Sequence, residues 1–193
     1  MSSMPSDMSS SSSGTAQEPD VGPAGWRPGV RLCLDWGKAR IGVAACDRDG
    51  LLAFPVETVA NDKHTIARLQ TLAAEYEPVE IVMGMPTDLR GEQGIAAEAM
   101  LQNAHRVVRA LRHDVRLIDE RLTTAAATRR LAAAGRDSRH RRSVIDQAAA
   151  VAILEQAIDM EKRSGHAPGQ LIATRSCGGA AEGEDDGSSE TDK

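Results

Sequence analysis

Residues 30–59, VRLCLDWGKARIGVAACDRDGLLAFPVETV, decide the fold. Three runs in it, 30–36 (VRLCLDW), 40–46 (RIGVAAC) and 51–59 (LLAFPVETV), read as strands. The links are short and carry Gly37, Asp49 and Gly50. Asp-Gly between apolar runs is a strong hairpin signal. The stretch therefore predicts an antiparallel meander.

Working outward, the period changes. Residues 62–77 place Ile66, Leu69, Ala73 and Tyr76 at helical spacing, with Asp62 as the expected cap. Residues 79–84 (VEIVMG) read as a strand, 92–112 as a long helix and 115–120 (VRLIDE) as another strand. A helix opened by Thr123 or Thr124 is expected to run to about Ala134. A basic loop over 135–142 follows, and Ser143 opens a last helix to about Arg163. A meander followed by β-α crossovers predicts an α/β domain with a mixed sheet flanked by helices.

Composition limits the classes. Of the 193 residues, 23 are Lys or Arg and 28 are Asp or Glu, so the formal charge is −5. The acidic excess lies in the ends: residues 176–193 carry six acids and one Lys, and residues 1–28 carry three acids and one Arg. The stretch between them is weakly basic, which leaves room for a polyanionic partner. Both ends are poor in apolar residues and read as disordered. The expected division is a tail over 1–28, one domain over 29–165, and a flexible acidic tail over 166–193. No apolar run has the length of a membrane span, and no basic-then-apolar leader opens the chain. Three cysteines without CxxC spacing argue against a disulfide or zinc scaffold and for the cytoplasm. Four aromatics are too few for a base-stacking platform.

Chemistry concentrates in three acids. Asp35 closes the first strand, and ligands of open α/β sheets sit outside the carboxyl ends of parallel strands. Glu120 closes the strand 115–120 beside Asp119, and strand alternation lets only one of that pair share a face with Asp35. Asp146 follows Ser143 by three residues, a spacing that also fits a capping box. Three carboxylates from separate elements suit one or two Mg²⁺ or Mn²⁺ ions, which take oxygen ligands and leave positions open for phosphate and water. Just before Asp146, the segment 129–142 holds six Arg against Asp137. Arg136, Arg139, Arg141 and Arg142 make a candidate phosphate-backbone clamp. The segment G84-M-P-T-D-L-R-G-E-Q-G94 leads into the long helix and lacks the Lys-Ser/Thr ending of a P-loop.

Four motifs in order then resemble one family. D35-W-G-K-A-R-I-G-V-A44 with the following D-G-L-L-A-F-P-V-E-T, G84-M-P with Gly91 and Gly94, D119-E-R-L-T-T124, and I145-D-Q-A-A-A-V-A-I-L154 are similar to the YqgF family of pre-16S rRNA nucleases, earlier described as Holliday junction resolvases. The resemblance spans residues 30–160. It implies an RNase H-like fold with a five-stranded mixed sheet. It also implies Asp35, Glu120 and Asp146 as the catalytic, metal-binding carboxylates, with Arg40 and Arg121 near the scissile phosphate. Lys38 and Arg90 depart from the family pattern but replace no carboxylate.

The expected activity is metal-dependent phosphodiester hydrolysis, with the 5′ end of pre-16S rRNA as the substrate that the resemblance implies. A DNA resolvase is the alternative within the same chemistry and requires a stable dimer. A non-catalytic nucleic-acid-binding module in RNA processing or transcription is the alternative outside it. An actin-like kinase, suggested by D-x-G, needs two such domains. The expected partner is nucleic acid, pre-rRNA or branched DNA, with no membrane, and the chain is expected to be a monomer or weak homodimer.

Overall fold

The meander forms where its alternation and turns predict it. In the computed structural model, which describes residues 25–86, 94–119 and 139–174, β1 (Arg31–Trp36) pairs antiparallel with β2 (Arg40–Cys46), and β2 with β3 (Ala53–Ala60). At the second turn Gly50 takes a φ of 61°, which costs little without a Cβ. The Asp47 carboxylate accepts hydrogen bonds from the N–H groups of Leu51 and Leu52 at 2.8 and 2.6 Å, closing the turn. Pro55 lies in β3 beside a register break against Val43 and Ala44. Proline cannot donate to a ladder, so it suits an edge strand at a bulge, and β3 is an edge.

The remaining elements are α1 (Thr65–Tyr76), β4 (Glu80–Met85), α2 (Ile95–Leu111), β5 (Val115–Asp119), α3 (Arg139–Ser164) and β6 (Gln170–Ile172). The sheet order is β3-β2-β1-β4-β5-β6, with β4 parallel to β1 and β5 parallel to β4. The first five strands are the mixed sheet expected of an RNase H-like fold. The sixth corrects the expected count: β6 pairs antiparallel with β5. It is three residues long, and Gly169 before it has a φ of 72°, so its sequence reads as a turn and tail.

Strand alternation divides the core in two. Leu32, Leu34, Ile41, Val43, Ile81, Met83, Val115 and Leu117 pack with α1 and α2 on one face. Cys33, Ala44, Val82 and Ile118 pack against Ala149, Ala150, Ile153, Leu154, Ala157 and Ile158 of α3 on the other.

Residues just outside the span 29–165 make contacts with it at both ends. Trp26 is buried, and its indole nitrogen donates to the Arg48 carbonyl at 3.1 Å. Arg27 donates to Glu161 at 2.8 Å and to Glu80 at 2.7 Å. At the other end, beyond β6, the Thr174 amide donates to Asp114 Oδ1 at 2.8 Å. Two helix expectations also change. Asp62 does not cap α1 from the N-cap position, which is His64; its carboxylate instead accepts the His64 N–H at 2.7 Å, one turn earlier. α3 begins at Arg139, so residues 139–142 are helical rather than loop, and Ser143 is inside the helix rather than its cap. The helix expected over about 123–134 lies outside the described residues.

Candidate active site

The α3 side of the sheet changes character from one end to the other. Arg31, Cys33 and Asp35 of β1 point to this side, as do Arg40, Gly42 and Ala44 of β2 and Glu80, Val82 and Gly84 of β4. Cys33, Val82 and Ala44 make the apolar middle. Asp35 lies at the carboxyl end of β1, where β4 and β5 also end.

Gly42 brings Asp146 to that end. It is the register partner of Asp35 on one side and of Thr58 on the other. A Cβ on Gly42 would collide with the carbonyl oxygen of Asp146. The α3 backbone thus rests directly on β2 at this point, next to Asp35. One helical face, Ser143, Asp146 and Gln147, meets the sheet here. Ser143 Oγ donates to Thr58 Oγ1 at 2.9 Å, Thr58 Oγ1 donates to the Ser143 carbonyl at 3.0 Å, and Gln147 Nε2 donates to Thr58 Oγ1 at 3.3 Å. These bonds fix the first turns of α3 to β3.

Arg40 Nε donates to Asp146 Oδ2 at 2.7 Å. The Asp146 carboxylate is therefore oriented by an ion pair rather than by a helix cap, and the capping-box reading of Ser143–Asp146 is set aside. Asp35 is buried at 6% exposure, whereas the Asp146 side chain is 23% and Arg40 37% exposed. The site has a dry floor and an open rim.

Of the expected residues, the structure brings together Asp35, Asp146 and Arg40. Glu120, Arg121 and Arg136 lie outside the described residues. Arg139, Arg141 and Arg142 belong to the first turn of α3, but their side chains lie outside the description. Asp119 has the parity of Val115 and Leu117, which face α1 and α2. Among the described residues, no three His, Cys, Asp or Glu gather as a metal-ligand set. The two placed acids offer hard oxygen donors, which fit Mg²⁺ or Mn²⁺.

Sequence reasoning missed Gly42 and the Thr58–Ser143–Gln147 cluster. A signal for Gly42 was present: an isolated glycine inside a strand marks close approach of another backbone.

Comparison with known proteins identifies the family. The profile of the family described as "RuvX: Holliday junction resolvase" matches residues 29–160. A Cutibacterium acnes protein named "Putative pre-16S rRNA nuclease" is 53% identical over 132 residues, covering 68% of this chain and 82% of that protein. A Streptomyces avermitilis protein of the same name is 52% identical, covering 77% of this chain and 97% of that protein. Solved structures of Thermus thermophilus RuvC, alone and in complex with a Holliday junction substrate, are 15% and 16% identical with TM-scores of 0.42 and 0.43. Each covers 68% of this chain, and 95% and 94% of the RuvC chains respectively. No helix among the described residues is long and apolar enough to cross a membrane.

Proposed function

The chain belongs to the RuvX family, and from that premise we propose that it is a metal-dependent nuclease that trims the 5′ end of pre-16S rRNA, with Asp35, Glu120 and Asp146 as its metal-binding carboxylates. The observation that carries this reading is the seating of Asp146 on Gly42, beside Asp35, at the carboxyl ends of the parallel strands. The substrate is taken from the names of the relatives.

Asp119 belongs to the α1–α2 side. Ile118 belongs to the α3 side, and Glu120, two residues on in the sequence, lies outside the described residues. With Glu120, the proposed site would have three acids. Bound Mg²⁺ or Mn²⁺ would supply a water of lowered pKa and offset charge on the phosphate oxygens. Asp35, which is buried, and Asp146, which is half-buried, would help hold the ion. Arg40 keeps Asp146 in one orientation through Nε, which leaves its two terminal nitrogens for a phosphate oxygen. Arg121, Arg136, Arg139, Arg141 and Arg142 would hold the backbone on either side. The corresponding compartment is the cytoplasm, and the chain would work as a monomer or weak homodimer.

A four-way DNA junction is the second substrate reading, favoured by the family description. Purified protein incubated with a precursor rRNA 5′ leader and with a four-way DNA junction, with and without Mg²⁺ or Mn²⁺, separates the readings. Metal-dependent cleavage of the leader is expected. Paired, symmetric cuts in the junction with an intact leader would replace the substrate. No cleavage of either would remove the nuclease reading.

A further inference from the structure

α2 carries a second group of arginines on the side of the sheet away from the carboxylates. Arg106, Arg109 and the C-cap residue Arg112 are exposed and recur every three residues, so they form one stripe along the helix. The only acid in α2 is Glu98, two turns before Arg106. Elsewhere in the described residues, Arg27, Arg31, Arg40, Arg68 and Arg116 each hold a carboxylate. Among those same residues, the three arginines of the stripe hold none. The helix dipole accounts for cations in the last turn, which covers Arg109 and Arg112 but not Arg106. The large exposed apolar side chains among the described residues are Leu51, Leu52, Val79, Val144 and Leu171, and none of these lies on α2. A protein interface would place aromatic or aliphatic anchors among the arginines. A polyphosphate backbone needs only the guanidinium groups.

We propose that Arg106, Arg109 and Arg112 form an auxiliary site for the phosphate backbone of a folded RNA, separate from the metal site. The inference rests on the nuclease reading above. α2 follows β4 and precedes the parallel β5, so it runs from the carboxyl end of the strands, where Asp35 lies, back toward their amino end. At 1.5 Å per residue, Arg106 is about 16 Å from the start of the helix at Ile95. A small phosphodiester at the carboxylates therefore cannot touch the stripe. A structured RNA that passes over the carboxyl end of the strands can reach both.

The test measures binding and small-substrate hydrolysis separately. Affinity for a structured precursor rRNA 5′ leader is followed against salt without divalent metal. Hydrolysis of bis(p-nitrophenyl) phosphate is followed with Mn²⁺. Changing all three arginines to Gln should lower the log–log salt slope by about 2, since each phosphate left without its arginine removes about 0.7 to 0.9. Diester hydrolysis should stay at the wild-type rate. The triple Lys variant should keep most of the slope. A control with equal charge loss, Arg48→Gln with Lys63→Gln and Arg163→Gln, should change the slope much less. An unchanged slope in the Gln variant, or an equal fall in the control, overturns the stripe and leaves the nuclease reading standing. A lowered slope beside wild-type protein that hydrolyses no diester keeps the stripe and overturns the nuclease reading.

Discussion

Asp146 and Arg40 hold each other at 2.7 Å across 106 residues of chain, and this pair changes what substitution of Asp146 should do. Three acids converging alone would repel, and neutralising any of them would stabilise the protein. Arg40 offsets that repulsion at Asp146. Because both side chains are partly exposed, the pair contributes under about 1 kcal/mol. Asp146→Asn should therefore lower stability slightly in urea melts. It should also reduce metal-dependent cleavage by more than about 100-fold, since even residues that only orient metal ligands cost 10- to 100-fold when changed. Asp35→Asn should give the same loss of cleavage with unchanged circular dichroism. Cleavage within a few fold of wild type in either variant would remove that residue from the site. The position of Asp35 near a strand end was legible in the sequence, because the apolar run 30–36 stops at Gly37. The surroundings of Asp146 were only half legible. Ser143 three residues earlier imitates a capping box, and nothing local reveals a partner on β2.

The contact between α3 and β2 positions the site at the next scale. Gly42 is the point where the helix backbone touches the sheet, and Thr58, Ser143 and Gln147 lock the adjoining strand to the helix. Gly42→Ala would push the first turns of α3 outward and carry Asp146 away from Asp35. Overpacking of this kind costs about 1–3 kcal/mol. The expected variant is folded, with a lower urea midpoint and a larger loss of cleavage than of stability. Native midpoint and native cleavage together would show that the contact does not position the carboxylate. The elements in 30–59 were legible because alternation, β-branching and an Asp-Gly turn agree there. The start of α3 was not. Its first four residues, Arg-His-Arg-Arg, oppose the positive end of a helix dipole, so they read as loop. β6 was missed for another reason: three residues after Pro168-Gly169 are too few to show alternation.

Across the whole molecule, α3 carries an acid at each end of its sheet-facing side, and the two acids have different surroundings. Glu161, at the end away from the site, is buried with Glu80, Arg31 and Arg116, and Arg27 closes the cluster. The guanidinium of Arg31 stacks on Trp26, 3.8 Å from the ring centre. Burial alone would push the Glu80 carboxyl up, but the hydrogen bond from Arg27 and the charges of Arg116 and Arg27 outweigh it and hold it below the usual carboxylate value of 4.5. A carboxyl depressed in the folded state contributes stability above its unfolded pKa and loses it as pH falls through the folded value. Unfolding free energy should therefore drop as pH falls below about 4.5. Glu80→Gln should be less stable at neutral pH and flatten that drop; an equally steep acid limb would contradict the assignment. Glu161→Gln, which leaves Arg31 buried with fewer partners, should cost about 3 kcal/mol or more. This cluster explains why Trp26 and Arg27 pack on the body although the composition of their stretch reads as a tail. Its Trp and Arg find their partners only in the folded sheet. The two charged ends of α3 thus differ, one closing the fold and the other carrying the acid of the proposed metal site. The central claim is that Asp35, Glu120 and Asp146 make one metal site. Calorimetric titration of Mn²⁺ into wild-type protein and into Asp35→Asn, Glu120→Gln and Asp146→Asn tests it without reference to any substrate. Saturable binding in the wild type, weakened about tenfold or more in each variant, is the predicted result; equal Mn²⁺ affinity in all four proteins would contradict it.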